Sequence, residues 1–177
     1  MTDFQAQEVH DALSQARTIA LRQLAHSPKT RQQLEQHLLK KNVSPEHIAE
    51  VLDRFTEVGL VDDLAYAHLF VRSKCAAKKI SRSSLMRELR AKGVADELAL
   101  AALSVISDED EYQLARDAAE KKLRSMRGLS HEVVSRRLFG MLARKGYSSA
   151  VAVKVLKSLE VDADNVTRGD YLLSEVD

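Results

Sequence analysis

The arginine and lysine residues of this sequence fall in two segments where almost no acid accompanies them. Residues 72–92 contain eight basic side chains and one acid, and residues 121–157 contain ten basic side chains and one acid. Guanidinium and ammonium groups bind phosphates and carboxylates, so the two segments predict an anionic partner. The candidate binding residues are Arg72, Lys74, Lys78, Lys79, Arg82, Arg87, Arg90, Lys121, Lys122, Arg124, Arg127, Arg136, Arg137, Arg144 and Lys145.

Part of this charge has a local interpretation. Lys121 and Arg124 lie four residues after Asp117 and Glu120, so each can form an ion pair within its own helix. Arg72 and Lys79 are seven residues apart, a spacing that would place them on one helix face. An ordinary solvated helix face is the alternative to a binding surface.

The sequence gives little support for metal binding, nucleotide binding or catalysis. The six histidines form no metal-binding pattern, and the scattered glycines form no phosphate-binding loop. The single cysteine, Cys75, excludes an internal disulfide and any multi-cysteine metal site. We therefore predict a protein that is not an enzyme and needs no cofactor or metal.

Composition predicts the elements that must position the basic residues. The chain has 177 residues, of which 45% are apolar and 30% charged, with only 6 glycines and 2 prolines. Folds rich in strands need frequent glycine and proline turns, so these numbers favour an all-α fold. No apolar run approaches the length of a membrane span and the first residues are polar, which predicts a soluble cytoplasmic protein.

The apolar pattern repeats three times along the chain. Leu34 and Leu38 are followed 51 residues later by Leu85 and Leu89, and 53 residues after that by Leu138 and Leu142. This spacing predicts three tandem three-helix repeats that form an elongated, curved array. The predicted limits are 1–60 (an N-terminal helix and the first repeat), 61–106 and 107–160.

Turn and cap residues support the same division. Asn42, Gly93 and Gly146 occupy matching positions after the second helix of each repeat, where a left-handed backbone is expected. We expect each of five residues to cap the helix that follows it: Ser27, Ser44, Asp62, Ser81 and Ser107.

The last 17 residues differ from the rest of the chain. Residues 161–177 contain five acids and one base and lack helical periodicity, which predicts an acidic mobile tail. We expect that removing this tail leaves the fold intact and raises the affinity for DNA at low salt.

Three stretches resemble the RecX family of recombinase regulators. They are residues 61–72 (VDDLAYAHLFVR), residues 85–94 (LMRELRAKGV) and residues 142–148 (LARKGYS). The resemblance implies an all-helical, elongated monomer that sits in the groove of the RecA–DNA filament. It further implies inhibition of RecA's ATPase, strand-exchange and coprotease activities in DNA recombination, repair and the SOS response, together with weak DNA binding.

Two other interpretations remain open from the residues alone. Two short helices around Gly93 or Gly146 are compatible with a sequence-specific helix-turn-helix regulator, which would prefer one DNA sequence. A helical scaffold with no nucleic-acid role would bind neither RecA nor DNA. The basic segments hold few aromatic side chains for base stacking, so we expect any DNA contact to involve phosphates and to be independent of sequence.

Overall fold

The computed structural model describes residues 2–159, and all regular secondary structure within this range is helical. The prediction of an all-α fold is therefore confirmed. The helices follow in three consecutive groups of three. They are α1 (Thr2–His26), α2 (Arg31–Leu39), α3 (Pro45–Glu57), α4 (Asp63–Lys78), α5 (Arg82–Ala91), α6 (Asp96–Leu103), α7 (Asp108–Leu123), α8 (His131–Arg144) and α9 (149–159).

The chain folds into two compact units. The first consists of Met1–Val71 and Met86–Leu103, and the second consists of Arg72–Leu85 and the chain from Ser104 onward. The division falls within α4 and α5, so the middle group of helices contributes to both units. The exact limits of the three repeats stay a prediction, and the acidic segment 161–177 lies outside the described residues.

The core of the first unit forms around α1, α2 and α3. The α1 residues Leu13, Ala16 and Ala20 pack in one cluster with the buried leucines of α2 and with apolar side chains of α3. This apolar stripe of α1 is the one that its spacing of three and four residues predicts. Val9, the first residue of the predicted stripe, lies outside the described side chains.

The core of the second unit forms around α7, α8 and α9. Leu138 and Leu142 of α8 pack with Tyr112 of α7 and with Val155 of α9. In α9 the fully buried position is Val155, whereas Leu156, which the repeat pattern singles out, is only partly buried. The six leucines that define the repeat, Leu34, Leu38, Leu85, Leu89, Leu138 and Leu142, are all at most 1% exposed.

Most of the predicted helix starts are confirmed. Ser44 and Ser107 accept hydrogen bonds from the backbone N–H groups of His47 and Asp110. Asp62 and Ser81 accept equivalent bonds at the starts of α4 and α5.

The predicted start of α2 at Ser27 is wrong, because Thr30 caps this helix. The Thr30 hydroxyl accepts the Gln33 N–H at 3.2 Å, and the Gln33 side chain accepts the Thr30 N–H at 3.1 Å. This reciprocal pair satisfies two helix-start donors at once, which the serine before Pro28 does not do. The Thr30 hydroxyl also donates to the Lys92 carbonyl at 2.6 Å.

The left-handed turns are confirmed. The φ angles of Asn42, Gly93 and Gly146 are 60°, 81° and 84°. Each residue directly follows the last turn of the second helix in its group, as the repeat predicts.

We expect Thr30→Val to destabilise the protein by about 2 kcal/mol, because it removes the helix cap and leaves the Lys92 carbonyl without its donor. The melting temperature, followed by circular dichroism, should fall by about 4–8 °C. Thr18→Val is the matched control, since the Thr18 hydroxyl is exposed and bonds only within α1. The control should cost under about 0.5 kcal/mol. Equal melting temperatures for the two variants would show that the Thr30 contacts contribute nothing.

Candidate functional site

Five of the predicted binding residues surround one cavity in the second unit. The cavity has a volume of about 500 Å³ and is lined by the ammonium-bearing side chains of Lys78, Lys79, Lys121, Lys122 and Lys145. The rest of its lining is apolar and includes Ile80, Ala118 and Met141. We call this feature the lysine cavity. We call its five lysines the rim and its apolar residues the floor, and this combination suits an anion that also carries an apolar group.

Three helix ends bring these lysines together. Lys78 is the last residue of α4, Lys121 and Lys122 lie in the last turn of α7, and Lys145 is the C-cap of α8. The backbone dipole makes a helix C-terminus a favourable place for a cation. The fold therefore tolerates like charges here that would repel each other more strongly at other positions.

The turn after α8 fixes the backbone of Lys145. Its carbonyl accepts a hydrogen bond from the Ser81 N–H at 3.1 Å and another from the Ser84 hydroxyl at 3.0 Å. Gly146 follows with a φ of 84°, and a Cβ at this position would collide with the hydroxyl oxygens of both serines. Nothing in the sequence beyond the turn glycine itself marks this contact.

The lysine cavity concentrates positive charge. Burial, together with repulsion from Lys121 and Lys78, lowers the pKa of the Lys145 amine below its usual range. This amine donates to the Lys78 carbonyl, which is a neutral acceptor. Since the repulsion acts on the charged form, an anion in the cavity would stabilise the ammonium.

Lys79 differs from its neighbours in having an acidic partner. Its amine forms an ion pair with Asp117, and its carbonyl accepts the Tyr147 hydroxyl at 2.9 Å. Burial raises the pKa of Tyr147, so the phenol stays protonated and acts as the donor. Tyr147 is 5% exposed and packs in the core of the second unit.

The structure corrects the predicted pairing along α7. Asp117 is paired with Lys79, and Glu120 is paired with Arg116. The predicted Asp117–Lys121 and Glu120–Arg124 pairs are therefore wrong. Lys79, from another segment, pairs with Asp117, and Arg116, one turn earlier in α7, pairs with Glu120. Lys121 therefore has no ion pair to any described residue.

The predicted common face of Arg72 and Lys79 is also wrong. Helix α4 ends at Lys78, and Lys79 follows with a φ of 46°, so helical periodicity no longer applies to it. Arg72 is exposed on α4, and Lys74 is half-buried on the same helix.

Arg82 is engaged within the second unit. Its guanidinium donates to the Glu111 carboxylate at 2.9 Å, to the Ile106 carbonyl at 3.2 Å and to Asp108. The hydrogen bond to Asp108 is the main cause that raises the pKa of Arg82. These contacts hold the start of α5 to the start of α7, so Arg82 can bind an outside partner only after it leaves them.

The other arginines lie outside the lysine cavity's lining. Arg87 and Arg90 are exposed on α5 in the first unit, where Arg90 forms a two-bond contact with Asp96 at 2.7 and 2.8 Å. In the second unit, the remaining predicted residues are exposed after α7 or on α8: Arg124, Arg127, Arg136, Arg137 and Arg144. The structure thus gathers five of the six predicted lysines into the lysine cavity, and Arg124 and Arg127 line a separate pocket that also contains Glu120.

Neither a metal-binding cluster nor a membrane-spanning helix occurs in the described part of the chain. Among residues 2–159, no group of three histidine, cysteine, aspartate or glutamate side chains could hold a metal ion. No helix in this range has the length and apolar character needed to cross a membrane.

The fold defines a protein of tandem three-helix domains, and its second unit carries a cavity lined by five lysines. Three family models match the chain in order: the first three-helix domain of RecX at residues 16–55, the second at 62–103 and the third at 108–156. The chain belongs to the RecX family.

Relatives and solved structures agree with this assignment. Regulatory protein RecX of Streptomyces coelicolor is 44% identical over 156 residues, which cover 88% of this chain and 83% of that protein. Regulatory protein RecX of Mycolicibacterium smegmatis is 40% identical over 156 residues, covering 86% and 83% of the two chains. The crystal structure of RecX from Lactobacillus salivarius has the same fold, with a TM-score of 0.78 at 22% identity over 86% of this chain and 99% of that one. The resemblance seen in the sequence is therefore confirmed.

We expect Gly146→Ala to destabilise the protein more than Gly128→Ala does. Both glycines have positive φ angles, 84° and 81°, so both substitutions strain the backbone by about 1–2 kcal/mol. Only at Gly146 does the added Cβ also meet the Ser81 and Ser84 side chains, whereas Gly128 has open space around it. Urea unfolding should show an additional loss of about 1–3 kcal/mol for Gly146→Ala. An equal loss in the two variants would contradict the role of the Lys145 carbonyl contact.

Proposed function

We propose that this protein binds RecA filaments on DNA in the cytoplasm and inhibits their recombinase, ATPase and coprotease activities, without catalysis of its own. The observation that carries this proposal is the lysine cavity, in which five lysines have one acidic partner, Asp117, within residues 2–159. Membership of a family whose members are named regulatory proteins supports the regulatory role.

The cavity supports contact with an anion rather than with a neutral surface. Lys121 and Lys122 are exposed at its rim, and burial together with repulsion from Lys121 and Lys78 lowers the pKa of Lys145, a repulsion that an anionic group would offset. Both DNA phosphates and acidic side chains of a recombinase have the required charge. Contact with DNA phosphates would be independent of sequence and sensitive to salt.

Binding alone is sufficient for regulation. A protein that binds the assembled filament and the free RecA protomer with different affinity shifts the assembly equilibrium by that difference. The exposed arginines of α8 extend the basic surface of the second unit beyond the lysine cavity, so contact with several anionic groups of a filament is sterically accessible.

We expect Lys121→Glu/Lys122→Glu to weaken DNA binding and the inhibition of RecA's DNA-dependent ATPase at least about tenfold, which corresponds to about 1.4 kcal/mol. The slope of log affinity against log salt should fall by about 2, since two phosphate contacts are lost. Fluorescence anisotropy and a coupled ATPase assay measure the two effects.

The matched control is Lys40→Glu/Lys41→Glu. This pair also follows a helix end, is also exposed and has the same charge change, but it belongs to the first unit and is not part of the lysine cavity's lining. Equal inhibition by the parent and by both variants would contradict the proposed surface. A strong preference for one DNA sequence would instead favour the helix-turn-helix interpretation.

A further inference from the structure

The lysine cavity has two parts that one ligand must satisfy together. Its rim consists of five lysines, which have one acidic partner, Asp117, among the described residues, and its floor is lined by apolar side chains that include Ile80 and Met141. A phosphate group would neutralise the rim and leave the floor in contact with water. An acidic peptide with adjacent apolar side chains would satisfy both parts.

The chain itself contains such a peptide. Residues 161–177 carry five acids and one arginine, and Tyr171, Leu172 and Leu173 stand between Asp170 and Glu175. The whole chain has a net charge of +1, and this segment has −4, so the charge of residues 1–160 is +5. The segment and the body of the protein are therefore electrostatically complementary.

The segment is attached close enough to reach the cavity. Helix α9 ends at residue 159, and Leu159 packs in the same core as Leu142 and Tyr147 of the second unit. Seventeen residues can span up to about 55 Å. A unit of about 70 residues has a radius of gyration of about 11 Å, so the length of the segment places no point of its surface out of reach.

We propose that the lysine cavity is the docking site of the chain's own C-terminal segment, residues 161–177. The carboxylates of Asp170 and Glu175 pair with the rim lysines, and the apolar residues between them cover the floor. Because the contact is intramolecular, the effective concentration of the segment is in the millimolar range, and weak individual contacts are sufficient.

Docking would make the segment a competitor of the anionic partner. This consequence depends on the proposed function, because it requires that the partner binds through the same lysines. The docking itself does not depend on it. The two claims therefore need separate measurements.

Lysine acetylation of the full-length protein, read by mass spectrometry, tests the docking. The test variant is Asp170→Asn/Glu175→Gln/Asp177→Asn, and the control variant is Glu35→Gln/Glu46→Gln/Glu50→Gln. Both remove three negative charges, but the control acids are exposed in the first unit. The reactivity of Lys121 and Lys122 is compared with that of Lys40 and Lys41 in the same sample.

In the test variant we expect Lys121 and Lys122 to be acetylated at least about threefold faster than in the parent. This factor corresponds to a parent segment that is docked about two thirds of the time and so leaves the lysines free for about one third. Lys40 and Lys41 should be unchanged. The difference should vanish in 1 M salt, where the screening length is about 3 Å. Equal reactivity in parent and test variant overturns the proposal, and so does an equal increase in the control variant, which would reflect net charge alone.

Two further readouts complete the design. If the protection of Lys121 and Lys122 from acetylation grows with protein concentration, the segment of a second copy occupies the cavity, and intramolecular docking is overturned. DNA binding and RecA ATPase inhibition by the same variants distinguish the two proposals. If the test variant changes the acetylation of Lys121 and Lys122 but neither DNA binding nor RecA ATPase inhibition, docking is supported and the proposed function is contradicted. If acetylation is unchanged in the test variant while Lys121→Glu/Lys122→Glu still weakens DNA binding and inhibition, only docking is overturned.

Discussion

A hydrogen bond between the carbonyl at one helix end and the hydroxyl at another helix start is the contact on which both compact units depend. In the first unit the Lys92 carbonyl accepts the Thr30 hydroxyl, and in the second the Lys145 carbonyl accepts the Ser84 hydroxyl. A left-handed glycine directly follows each carbonyl. Each bond satisfies a carbonyl that its own helix leaves without a partner, and the hydroxyl involved is buried. The same kind of contact thus recurs in both units, although Ser84 stands at the repeat position of Gln33 and not of Thr30.

A second bond recurs beside the first. The backbone N–H of Arg31, at the start of α2, donates to the Asp63 carboxylate, and the N–H of Arg82, at the start of α5, donates to Glu111. In each case the acceptor belongs to the first turns of the next group's long helix. These paired bonds fix helix ends rather than helix middles. Because the cations of the lysine cavity stand at helix ends, the contacts that order the repeat also fix the backbone of Lys145.

Interactions within a few residues could be predicted from the sequence, and those between segments could not. Ser44 and Ser107 cap their helices as expected, because the acceptor and the backbone donor are three residues apart. Thr30 rather than Ser27 caps α2 through the local capping box with Gln33, whereas the bond from its hydroxyl to the Lys92 carbonyl, 62 residues away, is not contained in any local pattern. Asp117 is likewise taken by a lysine from another segment. The basic segments were evident in the sequence, but their division into a shared cavity and separate arginines follows from tertiary structure.

If residues 161–177 dock in the lysine cavity as proposed, the same lysines would be covered in the free protein and still accessible to an anionic partner that displaces the segment. Clustered ammonium groups repel one another, and the pKa of Lys145 is lowered first by burial and then by repulsion from Lys121 and Lys78. Any anion that enters therefore gains from neutralising several charges at once. A tethered acidic segment has the advantage of proximity but offers few carboxylates, whereas a DNA-bound filament offers a long array of phosphates and acidic side chains. A modest tethered affinity excludes isolated anions and yields to an extended polyanion, so the competition itself would favour the assembled filament over its separate components.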